Sequence, residues 1–190
     1  MEQSSRDKLA WSAAKLFQQR GFHGVGLNEI LKLSGLPKGS LYHHFPNGKT
    51  DLALEAAALA HREMTRIIDD AFHDADTYQN GVTTLFYKLA KLFELMGKYT
   101  GCPISEILFV GPDQDLFREK SAEYFEAWTA QIAAYAERQG QTPITARMNA
   151  EKLFVTLQGG WTLARAKQDG DAIRNLGRLI FPNPDETSED

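Results

Sequence analysis

Cysteine is almost missing from this chain. Cys102 is the only one, so no internal disulfide can form, and the thiol content fits a reducing compartment. No basic neighbour in sequence lowers its pKa, so Cys102 is expected to be a packed thiol and not a redox sensor. Long apolar runs are missing as well. No segment approaches the roughly 18 apolar residues that a membrane span needs, and the N-terminus lacks a basic stretch followed by an apolar run. A cytoplasmic protein with no membrane partner is expected. Nor does any constellation for covalent chemistry stand out: no nucleophile beside a base, no paired carboxylates in a pocket, no clustered metal ligands. Accordingly no catalytic residue, no cofactor and no metal is expected. An excess of positive charge is also lacking, since the net charge is −4, which excludes a chain that is a basic nucleic-acid binder along its whole length.

What is present is unevenly placed. Residues 1–50 carry seven Lys and Arg against three Asp and Glu, a net of +4, whereas the rest carries 14 against 22, a net of −8. A binding module joined to a non-binding module should show this asymmetry, although ordinary surface variation produces it too. The 190 residues, 43% of them hydrophobic, suffice for one good core or two small ones.

The organising stretch is Leu27 to Phe45, LNEILKLSGLPKGSLYHHF. Leu27, Ile30 and Leu31 recur at helical spacing, and Gly35 follows where a left-handed residue is needed. Leu36 drops into the same core, and Pro37, with a φ already helical, suits the first turn of a second helix beginning near Lys38. On that helix Leu41 and Phe45 lie one turn apart and face inward. Gly39 and His43 then point outward, with Ser40 and Tyr42 on the flanks. A bare glycine beside hydroxyl and imidazole groups lets a helix sit deep in a major groove, with Lys38 at the helix start where phosphates are attracted. This is a helix-turn-helix arrangement.

The run GSLYHHF, with RDKLAWSAAKLFQQRGF upstream and Lys49 just downstream, resembles the TetR family of one-component transcriptional repressors. The segment ILKLSGLPKGSLYHHFPNGK is most similar to its LmrA/YxaF-type branch, in which a proline precedes the recognition helix and a glycine sits before the lysine. Leu31 departs from the wider family, where a small alanine is more usual. The resemblance implies an all-α fold of about nine helices: an N-terminal three-helix helix-turn-helix domain (1–47) joined by a long helix to a C-terminal ligand-binding and dimerisation domain (48–182), followed by a disordered acidic tail (183–190). It implies double-stranded operator DNA as partner, with Lys38, Gly39, Ser40, Tyr42, His43, His44 and Lys49 as the DNA-facing set. For Lys49, which would open the long helix and there oppose its dipole, a solvated surface lysine is the alternative.

Along the chain, residues 4–20 form a first helix with a stripe of Leu9, Ala13, Leu16 and Phe17, ended by Gly21, and Phe22 is available to close the small core. Lys49 to about His73 is a single connecting helix. At its end Asp69 with His73, or Asp70 with Asp74, could hold a metal, but a solvated acidic helix end is the simpler reading. Tyr78 to Tyr99 is a further helix, CPISEILFV a short one after Pro103, and Gln114 to Gln139 another with Asp113 as its cap.

Two readings compete for the aromatics. Phe86, Phe93, Met96, Phe109 and Phe117, with Tyr124, Trp128 and Trp161, either fill the core or partly line a cavity for a flat, greasy small-molecule effector. The resemblance supports a pocket and leaves the ligand unnamed; a charged effector would turn to Glu94, Glu106 or Arg165. From Thr145 to Lys167, Leu153, Leu157, Gly160 and Ala164 repeat at helical spacing, and a final helix presents Ile173, Leu176 and Ile180. Paired with a second copy these two helices would make a four-helix homodimer interface; a monomer would hide the same faces inside its own core. The expected mechanism is a repressor whose effector tilts the connecting helix and spoils the spacing of its two recognition helices. A docking module for a protein partner, and a small helical enzyme, are the competing classes.

Overall fold

The computed structural model describes residues 4–109 and 115–181. Among these every regular element is a helix: α1 (Ser5–Arg20), α2 (Leu27–Ser34), α3 (Lys38–His44), α4 (Lys49–Phe72), α5 (Tyr78–Leu95), α6 (Pro103–Leu108), α7 (Asp115–Arg138), α8 (Pro143–Lys167), α9 (Asp171–Arg174) and α10 (Leu176–Ile180). The single final helix expected from sequence is two short ones, because Asn175 interrupts it. The acidic tail 183–190 and the Asp113 cap lie outside the described residues.

Helix boundaries follow local chemistry. The Ser4 hydroxyl accepts the Asp7 N–H at 3.1 Å, and Thr77 and Thr142 do the same for Asn80 and Thr145, each satisfying a donor that the first turn leaves orphaned. Pro103 and Pro143 open α6 and α8, where a missing N–H costs nothing. Before α4, the Asn47 N–H donates to Asp51 at 2.8 Å, tying the Pro-Asn-Gly turn to the helix it precedes.

The described residues fall into two compact units, each discontinuous in sequence. The first takes Met1–Glu63 and Cys102–Tyr124, the second Met64–Gly101 and Phe125–Asp190. The boundary expected at 47/48 therefore lies inside the first unit, and α6 with the beginning of α7 packs with the helix-turn-helix. Its core is made by Leu9, Ala13, Phe17, Ile30, Leu41 and Phe45, with Leu52 of α4 and Phe117 of α7, all buried. Cys102, at 4% exposure, is buried there as well.

In the second unit α5 and α8 pack on α9 and α10. Close approach is built in at two glycines: a Cβ at Gly81 would run into the Phe72 ring, and one at Gly160 into Leu176. Polar ties span long sequence distances. Tyr135 donates its hydroxyl to Asp69, Gln131 reaches the Thr65 carbonyl at 3.0 Å and Gln139 that of Ala75 at 2.8 Å. Asp70 pairs with Arg66 at 2.9 Å and with Lys88 at 3.8 Å. The acidic end of α4 is thus engaged with cations and a phenol, and among the described residues no group of three metal-ligating side chains occurs. No described helix is long and apolar enough to cross a membrane.

Candidate nucleic-acid interface

α2 and α3 are held across a turn whose geometry follows from two residues. Gly35 ends α2 at φ +69°, ψ 17°, the left-handed region where L side chains are strained. Pro37 stands just before α3 in extended conformation, and its carbonyl accepts the Ser40 N–H at 3.0 Å. Pro37 is thus the residue ahead of the helix and not its first turn, consistent with the missing N–H it could not have contributed.

α1 braces this pair. Glu29 accepts the Gly26 N–H at 2.9 Å and pairs with Arg20 at 2.6 Å; the backbone hydrogen bond, then the guanidinium, hold its carboxyl below the usual range. Arg6 pairs with Glu55 at 2.6 Å and lies over the Phe45 ring at 5.6 Å.

Leu41 and Phe45 are buried and carry α3 on the core, which turns Lys38, Gly39, Tyr42 and His43 to the surface and leaves Ser40 and His44 half-buried. The Lys38 ammonium lies over the Tyr42 ring at 5.8 Å, and the His43 and His44 rings meet edge-on at 4.8 Å. A Cβ added at Gly39 would meet nothing within 4 Å. Gly39 also lacks the positive φ of Gly35, so neither packing nor backbone conformation requires glycine there. Lys49, half-buried at the start of α4, places its ammonium 4.4 Å from the centre of the Phe22 ring. Burial lowers its pKa, with the Glu29 carboxylate acting the other way. From sequence Phe22 had only a core role; its place beneath Lys49 depends on the fold and has no local signal.

The residues nominated for an effector are divided between the two units. Phe109, Phe117 and Tyr124 belong to the first unit, and Phe86, Phe93, Met96, Trp128 and Trp161 to the second. Phe86, Phe93, Phe117, Trp128 and Trp161 are buried, Met96 and Tyr124 half-buried, and Phe109 is 64% exposed. Tyr124 stacks on His61 with ring centres 4.5 Å apart; burial pushes the Tyr124 hydroxyl up and the His61 imidazole down. Trp128 sits with Phe125 and Phe154 in a cluster of centre distances 4.9–6.4 Å. Phe154 was not nominated, because on α8 its spacing did not separate it from an ordinary core position. Glu94, offered as a counter-charge, is paired with Arg174 at 2.8 Å.

The seven residues nominated for the homodimer face need correcting. Leu153, Leu157, Gly160, Ala164, Ile173, Leu176 and Ile180 are all buried within their own chain, so their side chains have no surface to offer a second copy. The same helices expose other apolar residues. Ile144, Met148, Val155 and Leu163 lie along the opposite side of α8, Gly159 opens between them, and Leu179 does the same on α10.

Comparison with known proteins agrees with this geometry. The profile described as bacterial regulatory proteins, tetR family, matches residues 12–56, and that of the transcriptional regulator LmrA/YxaF-like C-terminal domain matches residues 79–179. The chain is 30% identical over 180 residues to the HTH-type transcriptional regulator YxaF of Bacillus subtilis (strain 168), covering 93% of each. It is 27% identical over 177 residues to LmrA of the same organism, covering 93% of this chain and 94% of LmrA. Its fold is similar to that of a cysteine-substituted TetR family regulator, CifR, solved with 26bp double-strand operator DNA: TM-score 0.79 at 18% identity, over 95% of this chain and 96% of that one. The chain belongs to the TetR family of DNA-binding transcriptional regulators, within its LmrA/YxaF-like branch.

Proposed function

We propose that this regulator is a cytoplasmic repressor that binds a palindromic operator as a homodimer and releases it when a small hydrophobic or aromatic effector binds. The observation that carries the DNA contact is the outer face of α3. Gly39 lies in the first turn of α3, and neither a close neighbour nor a positive φ calls for glycine there. A partner that must approach the backbone closely would. Beside it, Ser40, Tyr42 and His43 offer hydroxyl and imidazole groups to base edges, while Lys38, Lys49 and the partly covered His44 are set for phosphates.

Support for a homodimer is the stripe of Ile144, Met148, Val155 and Leu163 with Leu179, all more than half exposed, which replaces the buried set named from sequence. A second copy related by a two-fold axis would cover the same stripe on both chains. Support for an apolar effector is the aromatic content of the second unit, with Phe86, Phe93, Trp128 and Trp161 as the contacts we favour there. α4 has residues in both units, Lys49 to Glu63 in the first and Met64 to Phe72 in the second, as does α7, and α4 is the one that follows directly on the recognition helix. Effector binding would act by favouring an α4 arrangement that holds the recognition helices at the wrong spacing. A coupling of roughly 1–3 kcal/mol lowers operator affinity about five- to 150-fold.

The test starts from DNA fragments captured by the purified chain and sequenced to define the operator. Gel shifts then compare the native chain with Tyr42→Ala and Lys49→Gln. Loss of phosphate contact weakens binding to all sequences and flattens its salt dependence, whereas His43→Ala alters base preference. Unchanged binding by both Tyr42→Ala and Lys49→Gln removes the assignment, and an operator bound by a single copy removes the homodimer.

A further inference from the structure

Resting on the reading of Lys49 as a phosphate contact, we propose that Phe22 is a positioning residue for DNA binding: its ring, wedged by Phe117, is a platform that holds the Lys49 ammonium in place before DNA arrives.

Lys49 is the first residue of α4, where the exposed N–H groups of a helix repel a cation. Its four-carbon stem leaves the ammonium many positions, and an immobilised long side chain costs about 0.5–1.5 kcal/mol on binding if it must be ordered then. The Glu29 carboxylate attracts the ammonium, but its oxygens are engaged by the Gly26 N–H and by Arg20. What Lys49 meets is the face of an aromatic ring, 4.4 Å from its centre, and the negative face of a ring attracts a cation without neutralising it. The ammonium is restrained and keeps its full charge for an incoming phosphate.

The platform is itself fixed. Phe22 lies just past Gly21, which leaves α1 at φ +69°. Its ring packs on Phe17 at 5.7 Å, and meets Phe117 edge-on at 5.5 Å with the planes at 78°. Phe17 and Phe117 are both buried. Phe117 belongs to α7 and not to the helix-turn-helix, so a residue distant in sequence sets the ring under the lysine. All four residues lie in the first unit.

A double-mutant cycle on the full-length chain with its captured operator fragment tests this. Phe22→Leu keeps apolar volume and removes the ring face; it should weaken binding roughly two- to tenfold in the native background and have no further effect when Lys49 is already Gln. Phe22→Tyr, which keeps the face, should bind as the native chain does, and Phe117→Leu should follow Phe22→Leu with a smaller loss. Equal weakening by Phe22→Leu in both backgrounds makes Phe22 an ordinary core residue and overturns the proposal, as does no weakening in either. If Lys49→Gln alone changes neither affinity nor salt slope, the phosphate reading has failed instead, a result distinct from these. Independently of any variant's folding, the Lys49 ε-methylene protons of the native chain should resonate upfield of an ordinary lysine through the ring current; an unshifted signal overturns the platform.

Discussion

α3 and α8 are both helices with one side buried in their own unit, and they differ in what the other side shows. α3 buries Leu41 and leaves out Lys38, Gly39, Tyr42 and His43; α8 buries Leu153, Leu157, Gly160 and Ala164 and leaves out Ile144, Met148, Val155 and Leu163. The inner sides are interchangeable in chemistry. The outer sides are not, and they sort the partners: a polar, sterically open face suits a hydrated, charged surface, whereas an apolar stripe of this length gains only from a partner that excludes water. The comparison teaches that for a helical regulator the apolar periodicity identifies the side turned inward, and function is written on the residues that the periodicity omits.

Four substitutions, one for each side, break or sharpen that contrast. The largest effect is expected outside α8. Val155→Asp should leave the protomer folded by circular dichroism and dissociate the proposed homodimer, weakening self-association by roughly 100-fold or more, as for a charge left unpaired in an interface; sedimentation reads it, and an unaltered mass shows the stripe is not the interface. Next is Leu41→Ala inside α3. Removal of a fully buried side chain should cost about 2–5 kcal/mol in denaturant unfolding, and operator binding would fall only through lost folding.

Gly160→Ala, inside α8, comes third. The added methyl group meets Leu176, and overpacking of this kind costs about 1–3 kcal/mol; a variant that melts no lower than the native chain would mean α10 yields freely. The smallest change in stability, and the most telling, is Gly39→Ala outside α3. The protein should be no less stable, since the added methyl group meets no neighbour within 4 Å, while operator affinity drops at least about fivefold. Stability and binding moving in the same direction would contradict the groove-facing role.

Much of the first unit is legible in the residue order because its determinants are local. Gly35 terminates α2, Pro37 introduces α3, and the i, i+4 pair Leu41 and Phe45 orients it, all within a dozen positions. The residues expected to face a second copy are buried in their own chain for a physical reason: Leu153, Leu157 and Gly160 show the stronger apolar periodicity, and in a chain that must first bury its own α9 and α10 that stripe is consumed internally. The aromatic residues of the middle helices were harder still. Phe117 and Trp128 lie on one helix and are equally apolar, yet one packs beneath Phe22 and the other beside Phe125 and Phe154. No spacing rule separates them.

By itself the amino-acid order determined most helix starts, which side of α3 turns outward, and the positive bias of the N-terminal end, because capping, left-handed glycine and 3.6-residue periodicity act over a few residues; it did not show the break at Asn175 or the end of α5 at Leu95. The tertiary structure alone decided that α6 and the beginning of α7 pack with the helix-turn-helix, that Phe22 lies beneath Lys49, and which stripe of α8 stays exposed. Those outcomes depend on which apolar surfaces meet first among segments distant in sequence, and burial is set by that competition for partners and not by any residue's own preference.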